Sequence, residues 1–283
     1  MDGVVGEWAD WAARQYAAPL GAAIAYALES PGKRLRPALV MAVHHELGGQ
    51  GPIERVAAAV EVVHCYSLVH DDLPCMDDDD LRRGRPTVHR RFEVRAATEA
   101  GQRMIPLAAR VLAAGVAAME LPHSTLGLLA TELFRAAGAG GMVGGQFLDL
   151  QAEGRALTLD EMVEMHRRKT GALITASTVI GALAAGADPV RAAAARGYGE
   201  EIGLAFQITD DLLDESATSA ELGKTAGKDA QRRKPTFASL MAPAEARAEA
   251  QRCVERAVAR LREARIDSSL LDDLAHLVIN RRS

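Results

Sequence analysis

Apolar and polar positions alternate with helical period along nearly the whole chain. From 5 to 29, apolar residues recur at helical spacing with very few breakers, and Pro31-Gly32 then marks a turn. Pro37 suits the first turn of a further helix, and Gly48-Gly49 suits its stop. Gly51-Pro52 opens a long helix whose apolar run AAAVEVVHCYSLV enters Asp71 without a loop signal, and Pro74 interrupts it. Helices are also predicted over 88–121, with Pro106 set inside, and over 124–151, with GAGGMVGGQFLDLQ near the end. Residues 171–187 are apolar on all sides, 206–215 are helical, ESATSAEL reads as a polar loop, and 243–280 hold two amphipathic helices. With a weak strand signal, no repeat and no linker, the pattern predicts one all-α domain, residues 1–283, with roughly ten or more helices.

Composition sharpens this picture. The chain has 283 residues, 48% of them hydrophobic, which is enough for one large core. Aromatics make up only 4% and alanine is abundant, which favours close-packed helices over sheets. A net charge of -5 gives no reason to expect a nucleic-acid partner. Cys65, Cys75 and Cys253 are odd in number and form no CxxC, so a reducing cytoplasm is expected. The start MDGVVGEWADWAARQ is acidic and lacks the features of a signal peptide. Residues 171–187 contain Thr and Ser and are short for a spanning helix, so no membrane span is expected.

The chemistry lies in two acidic clusters. Between 70 and 89 the chain reads HDDLPCMDDDDLRRGRPTVH, with Asp71, Asp72, Asp77, Asp78, Asp79 and Asp80 crowded together and Arg82 and Arg83 directly after them. Carboxylates so close repel one another unless water or a cation neutralises them. At the end of an apolar helix they suit a hard cation such as Mg2+, shared with substrate phosphates. Guanidinium forks such as Arg82 and Arg83 pair bidentately with phosphate. Residues 206–215, FQITDDLLDE, form the second cluster: Asp210 and Asp214 are spaced i, i+4 on one helix face, with Asp211 beside them.

These pieces resemble the trans-isoprenyl diphosphate synthases (polyprenyl synthetase family) of the farnesyl and geranylgeranyl group. The resemblance is carried, in order, by PGKRLRPAL at 31–39, HCYSLVHDDLPCMDDDDLRRGRPT at 64–87, KTG at 169–171, FQITDDLLD at 206–214 and GKTAGKDAQRRKPTF at 223–237. It implies a helical bundle around a deep apolar cavity, a homodimer, and head-to-tail prenyl transfer with three Mg2+ ions held by Asp71, Asp72, Asp77, Asp210, Asp211 and Asp214. It assigns isopentenyl diphosphate to Lys33, Arg36, His64 and Arg83. It assigns the allylic diphosphate to Arg82, Lys169, Thr170, Gln207, Lys224 and Lys234, the last two on a basic run that reads as a lid. Gln146 and Asp149 resemble the family's GQ-x-x-D segment.

An aromatic five or four positions before the first motif looks like the floor that limits product length in this family. Here those positions are Tyr66 and Ser67. The bulky Tyr66 favours a farnesyl (C15) product, while the PCMD wording also occurs in geranylgeranyl (C20) synthases. The family's Phe-Gly pair and Ala-Gly-Asp-Ala step are replaced by Phe92-Glu93 and Ala100-Gly101-Gln102-Arg103, so disturbed packing is expected over 92–106. Two rivals are a class I terpene cyclase and a non-catalytic modulating subunit. The basic PGKR segment and the second DDxxD count against the first, and retention of both motifs counts against the second.

Overall fold

The computed structural model describes residues 1–216 and 236–281. Lys224 and Lys234 lie outside them. Among the described residues there are thirteen α-helices, one π-helical turn and a two-stranded hairpin. None of these helices is long and apolar enough to cross a membrane. Contacts divide the chain into two compact units.

The first unit contains Met1–Ala38 and Gly51–Leu126. It holds α1 (Asp2–Gln15), α2 (Leu20–Leu28), the start of α3 (Leu35–Glu46), α4 (Glu54–Asp71), the hairpin β1 (Leu81–Arg82) and β2 (Arg85–Pro86), and α5 (Val88–Ala118). Helix α4 is its centre: every residue from Val56 to Val63 is buried. Gly115 of α5 lets the two helices meet, since a Cβ there would come within 2.7 Å of the Arg55 backbone. The hairpin pairs Leu81 with Pro86 and Arg82 with Arg85. Its tip, Arg83-Gly84, has positive φ at both residues (55° and 75°), the requirement of a tight primed turn.

The second unit contains Leu39–Gln50 with 127–216 and 236–281. It holds most of α6 (His123–Ala137), then α7 (Met142–Ala152), α8 (Leu159–His166), the π-helical turn Arg167–Gly171, α9 (Ala172–Ala184) and α10 (Pro189–Ser216). It closes with α11 (Phe237–Leu240), α12 (Pro243–Glu263) and α13 (Ser269–Asn280). Helix α9 is buried at all but one position from Leu173 to Ala184, as its unbroken apolar run predicts. It packs on α10, where Thr178 Oγ1 donates to the Ala195 carbonyl at 2.7 Å.

Two sequence expectations are corrected, and a third, the disturbance over 92–106, is located. The helix expected over 5–29 is two, because Pro19 cannot continue α1 and the chain is extended at Tyr16. The helix expected over 124–151 is also two, parted at Gly138, Gly140 and Gly141. In α5 the break falls at Glu93 (φ 72°, ψ 159°), and Pro106 is carried inside the helix. Pro106 and Gln102, whose carbonyl loses its helical partner, are both exposed to water.

Candidate active site

The first acidic cluster is built by the end of α4. Asp71 is the last helical residue, and Leu73-Pro74 then turns the chain back on itself. The Asp77 amide donates to the Asp71 carbonyl at 2.8 Å, and the Asp79 amide to the Asp72 carbonyl at 3.3 Å. The longer DDxxxxD spacing thus closes a loop that returns Asp77 beside Asp71. Asp72 is buried and receives Arg82, through Nε at 3.0 Å and through a short Nη2 contact; Arg82 also reaches Asp79 at 3.3 Å. Burial pushes the Asp72 carboxyl above its usual range, against the pull of Arg82 and with the help of Asp79 and Asp77.

Above this helix end lies a basic cluster. Arg36 Nη1 is 3.4 Å from His64 Nε2. Arg83 donates to the Pro31 carbonyl and fills the space that a Cβ at Gly32 would need, which accounts for the Pro-Gly turn. Burial and then Arg36 hold the His64 imidazole well below its ordinary pKa, so it is neutral. Lys33 stands exposed on the same loop. Four of the residues that the sequence assigned to one diphosphate are therefore gathered: Lys33, Arg36, His64 and Arg83. The structure adds Glu61, whose buried carboxylate takes Arg34.

One turn before Asp71, Tyr66 is buried, with its ring edge-on to His70 at 5.8 Å. Burial and the Asp71 charge push its hydroxyl up to about 12. Ser67 Oγ donates to the His64 carbonyl at 2.9 Å.

In the second unit, α10 carries Asp210, Asp211 and Asp214. Asp210 Oδ1 is 2.8 Å from the Arg281 guanidinium, which also lies over the Phe206 ring and donates to the Phe206 carbonyl. Asp211 is buried and both its oxygens accept protein donors: Gln207 Nε2 at 2.8 Å and the Phe237 amide at 2.8 Å. Its carboxyl is pushed up to about 7 by burial, which outweighs those two donors, with Asp210 and Asp214 adding to the rise. Asp214, one turn further on, is half-buried.

The same residues tie in the KTG segment. Thr170 Oγ1 donates to Gln207 Oε1 at 3.0 Å, and Lys169 Nζ to Asp149 Oδ2 at 2.6 Å. Both sit on the π-helical turn, an irregularity often found at functional sites. Gly145 admits that turn, since a Cβ there would collide with the Lys169 backbone. His166 stacks on Phe237 at 5.4 Å, and burial lowers its pKa to about 4, with Lys169 adding to the fall. Gln146 is buried, with no hydrogen-bond partner for either amide atom among the described residues.

Sequence reasoning missed Arg281, Glu61 and His166. One arginine of the Arg281-Arg282 pair, a glutamate in an apolar helix and a lone histidine carry no local pattern; only the distances identify them.

The donors present are carboxylate oxygens, which fit a hard divalent cation. Among the described residues, no three His, Cys, Asp or Glu side chains stand close enough to hold a metal by themselves. Mg2+ is usually held through one or two carboxylates, with phosphate oxygens and water completing its shell.

The polyprenyl synthetase family model matches residues 17–270. The chain is 44% identical to the farnesyl diphosphate synthase of Escherichia coli over 255 residues, covering 88% of this chain and 85% of that one. It is 41% identical to geranylgeranyl pyrophosphate synthase 12 of Arabidopsis thaliana over 226 residues, 77% of this chain and 62% of that one. Among solved structures it resembles the geranyltransferase of Helicobacter pylori, determined with magnesium and isoprenyl diphosphate. The TM-score is 0.82 at 28% identity, over 98% of this chain and 94% of that one.

Proposed function

The chain belongs to the polyprenyl synthetase family, and we propose on that footing that it is a magnesium-dependent short-chain prenyltransferase. It condenses isopentenyl diphosphate head-to-tail with dimethylallyl or geranyl diphosphate, and its main product is farnesyl diphosphate. The observation that carries this reading is the gathering of Arg36, His64 and Arg83 around the Lys33 loop, beside the aspartates that end α4. A second cation-rich site for an unreactive diphosphate is what separates prenyl transfer from cyclisation of a single substrate.

Asp71, Asp72 and Asp77 of the first motif and Asp210, Asp211 and Asp214 of the second, led by Asp210, would hold Mg2+, three ions in all, together with substrate oxygens. Bound there, the metal neutralises the diphosphate and makes it a better leaving group. Asp211 also anchors Gln207 and Phe237, with lone pairs left on both oxygens. Arg82, Lys169 and Lys224 stabilise negative charge on the departing diphosphate, which favours breaking the allylic C–O bond. Lys33, Arg36, Arg83 and neutral His64 hold isopentenyl diphosphate by its charged end, so that its double bond adds to the allylic cation. A new C–C bond forms, and the proton lost goes to the released diphosphate. Thr170 and Gln207, hydrogen-bonded to each other, line the allylic side, with Lys234 contributing to the phosphate. Tyr66 is the floor against which the product stops.

The whole chain acts as one catalytic domain, since the family match runs through both units. We assign it to a reducing cytoplasm, because its three cysteines are odd in number and form no CxxC. Its assembly is a homodimer, testable by light scattering. Incubation of the purified protein with Mg2+, isopentenyl diphosphate and allylic diphosphates of increasing length, followed by sizing of the products, tests the function. Absence of any elongated product would leave the modulating-subunit reading.

A further inference from the structure

We infer that Arg34 and Glu61 form a buried pair that positions the isopentenyl diphosphate site, and that Arg34 does not itself bind the phosphate. This rests on the assignment of Lys33, Arg36, His64 and Arg83 to that site. In sequence, Lys33, Arg34 and Arg36 are three equivalent cations. In the fold, Arg34 turns inward, its side chain only 12% exposed. Its Nη1 lies 2.5 Å from Glu61 Oε1 and its Nε 2.9 Å from Asp2 Oδ1. Its Nη2 donates to the Ser30 carbonyl at 3.0 Å and approaches the Leu28 carbonyl at 3.5 Å. All three guanidinium nitrogens are thus taken by the protein, and Glu61 is itself 1% exposed.

The backbone agrees. Arg34 has φ 50°, a left-handed conformation that a residue with a side chain enters at a cost, so the anchoring on α4 must hold it there. Glu61 lies three residues before His64, on the same side of α4. Fastening Arg34 to Glu61 therefore sets the loop against His64, leaving Arg36 at 3.4 Å from that ring. Arg83 grips the same loop at Pro31 and Gly32. The Glu61 carboxylate also cancels the Arg34 charge. Its loss leaves the guanidinium with only the exposed Asp2 as counter-charge, which will pull the loop out of place.

Initial-rate kinetics with geranyl and isopentenyl diphosphates test this on Glu61→Gln and Arg34→Lys, with thermal melts of each and Lys33→Ala as reference. Both pair variants should raise the KM for isopentenyl diphosphate about tenfold, with kcat and the geranyl diphosphate KM within about twofold of wild type. A folded Glu61→Gln with an unchanged isopentenyl KM overturns the inference, as do equal rises for both substrates, which mean general loosening. A large effect of Arg34→Lys without one of Glu61→Gln makes Arg34 a direct ligand and overturns it too. Should Glu61→Gln fail to fold, Glu61→Asp, which keeps the charge but shortens the reach to Arg34, takes its place with the same readout: a folded Glu61→Asp with an unchanged isopentenyl KM overturns the inference. If Lys33→Ala leaves the isopentenyl KM untouched, the site assignment itself is at fault. If Lys33→Ala raises it and the pair variants do not, only the positioning role fails.

Discussion

His166 Nε2 lies 3.9 Å from Asp211 Oδ2, and burial drives the two groups in opposite senses on the pH scale. Folding raises the Asp211 pKa from 3.8 to about 7, so its contribution to stability is complete below pH 3.8 and is lost as pH rises through 7. Folding lowers the His166 pKa from 6.5 to about 4, so its contribution is complete above pH 6.5 and is lost as pH falls through 4. The slopes offset each other over roughly pH 4–6.5. In EDTA, Asp211→Asn should leave a melting temperature that rises across this window, and His166→Gln one that falls. Parallel curves for the two variants would contradict the opposed shifts.

Catalysis should depend on the first carboxylate of each motif. Asp71→Asn and Asp210→Asn should each lower turnover on the order of 10²–10³-fold, the scale of losing one group aimed at transition-state charge. Far-ultraviolet circular dichroism should stay unchanged. Full activity in excess EDTA would remove the metal from the mechanism.

The two diphosphate sites should separate kinetically. Lys33→Ala should raise the isopentenyl diphosphate KM about 10- to 100-fold, the worth of one hydrogen bond to a charged group, with kcat little changed. Lys169→Ala, which also takes the ammonium away from the buried carboxylate of Asp149, should act on the allylic substrate and on kcat. Identical profiles for the two variants would mean one shared site.

Product length should answer to Tyr66. It precedes Asp71 by five residues, roughly 7.5 Å along a helix, on the order of one or two prenyl units. Tyr66→Ala should shift the main product to C20 or longer, and Ser67→Ala should not. An unchanged product range in Tyr66→Ala would place the floor elsewhere and favour C20 for the wild type.

Glu93 sits at φ 72°, ψ 159°, a region open essentially to glycine alone. Relief of about 1–3 kcal/mol of strain, less the ~0.5–1 kcal/mol lost to glycine's freedom when unfolded, should make Glu93→Gly more stable by up to about 2 kcal/mol. At about 2–4 °C per kcal/mol, calorimetry should show a rise of a few degrees. A fall would mean that the Glu93 side chain contributes more than its backbone costs.

The sequence by itself determined the helical class, the order of the helices, the family and the two acidic motifs. Each is local: a 3.6-residue period, a proline, a run of carboxylates, and short motifs whose spacing survives in one dimension. The ends of α1 and α6 were less legible, because apolar periodicity runs on across Pro19 and across Gly138, Gly140 and Gly141. Only the tertiary structure decided which charges face the substrate and which face the protein. Lys33, Arg34 and Arg36 look alike in a row, yet Arg34 is spent on Glu61 and Asp2, residues that no spacing rule connects to it. Asp210 and Asp211 are neighbours in one motif, yet one pairs with Arg281 from the chain's last turn and the other anchors Phe237. Partners of this kind are chosen by burial, since a charge removed from water must find its counter-charge wherever the packing of helices brings one.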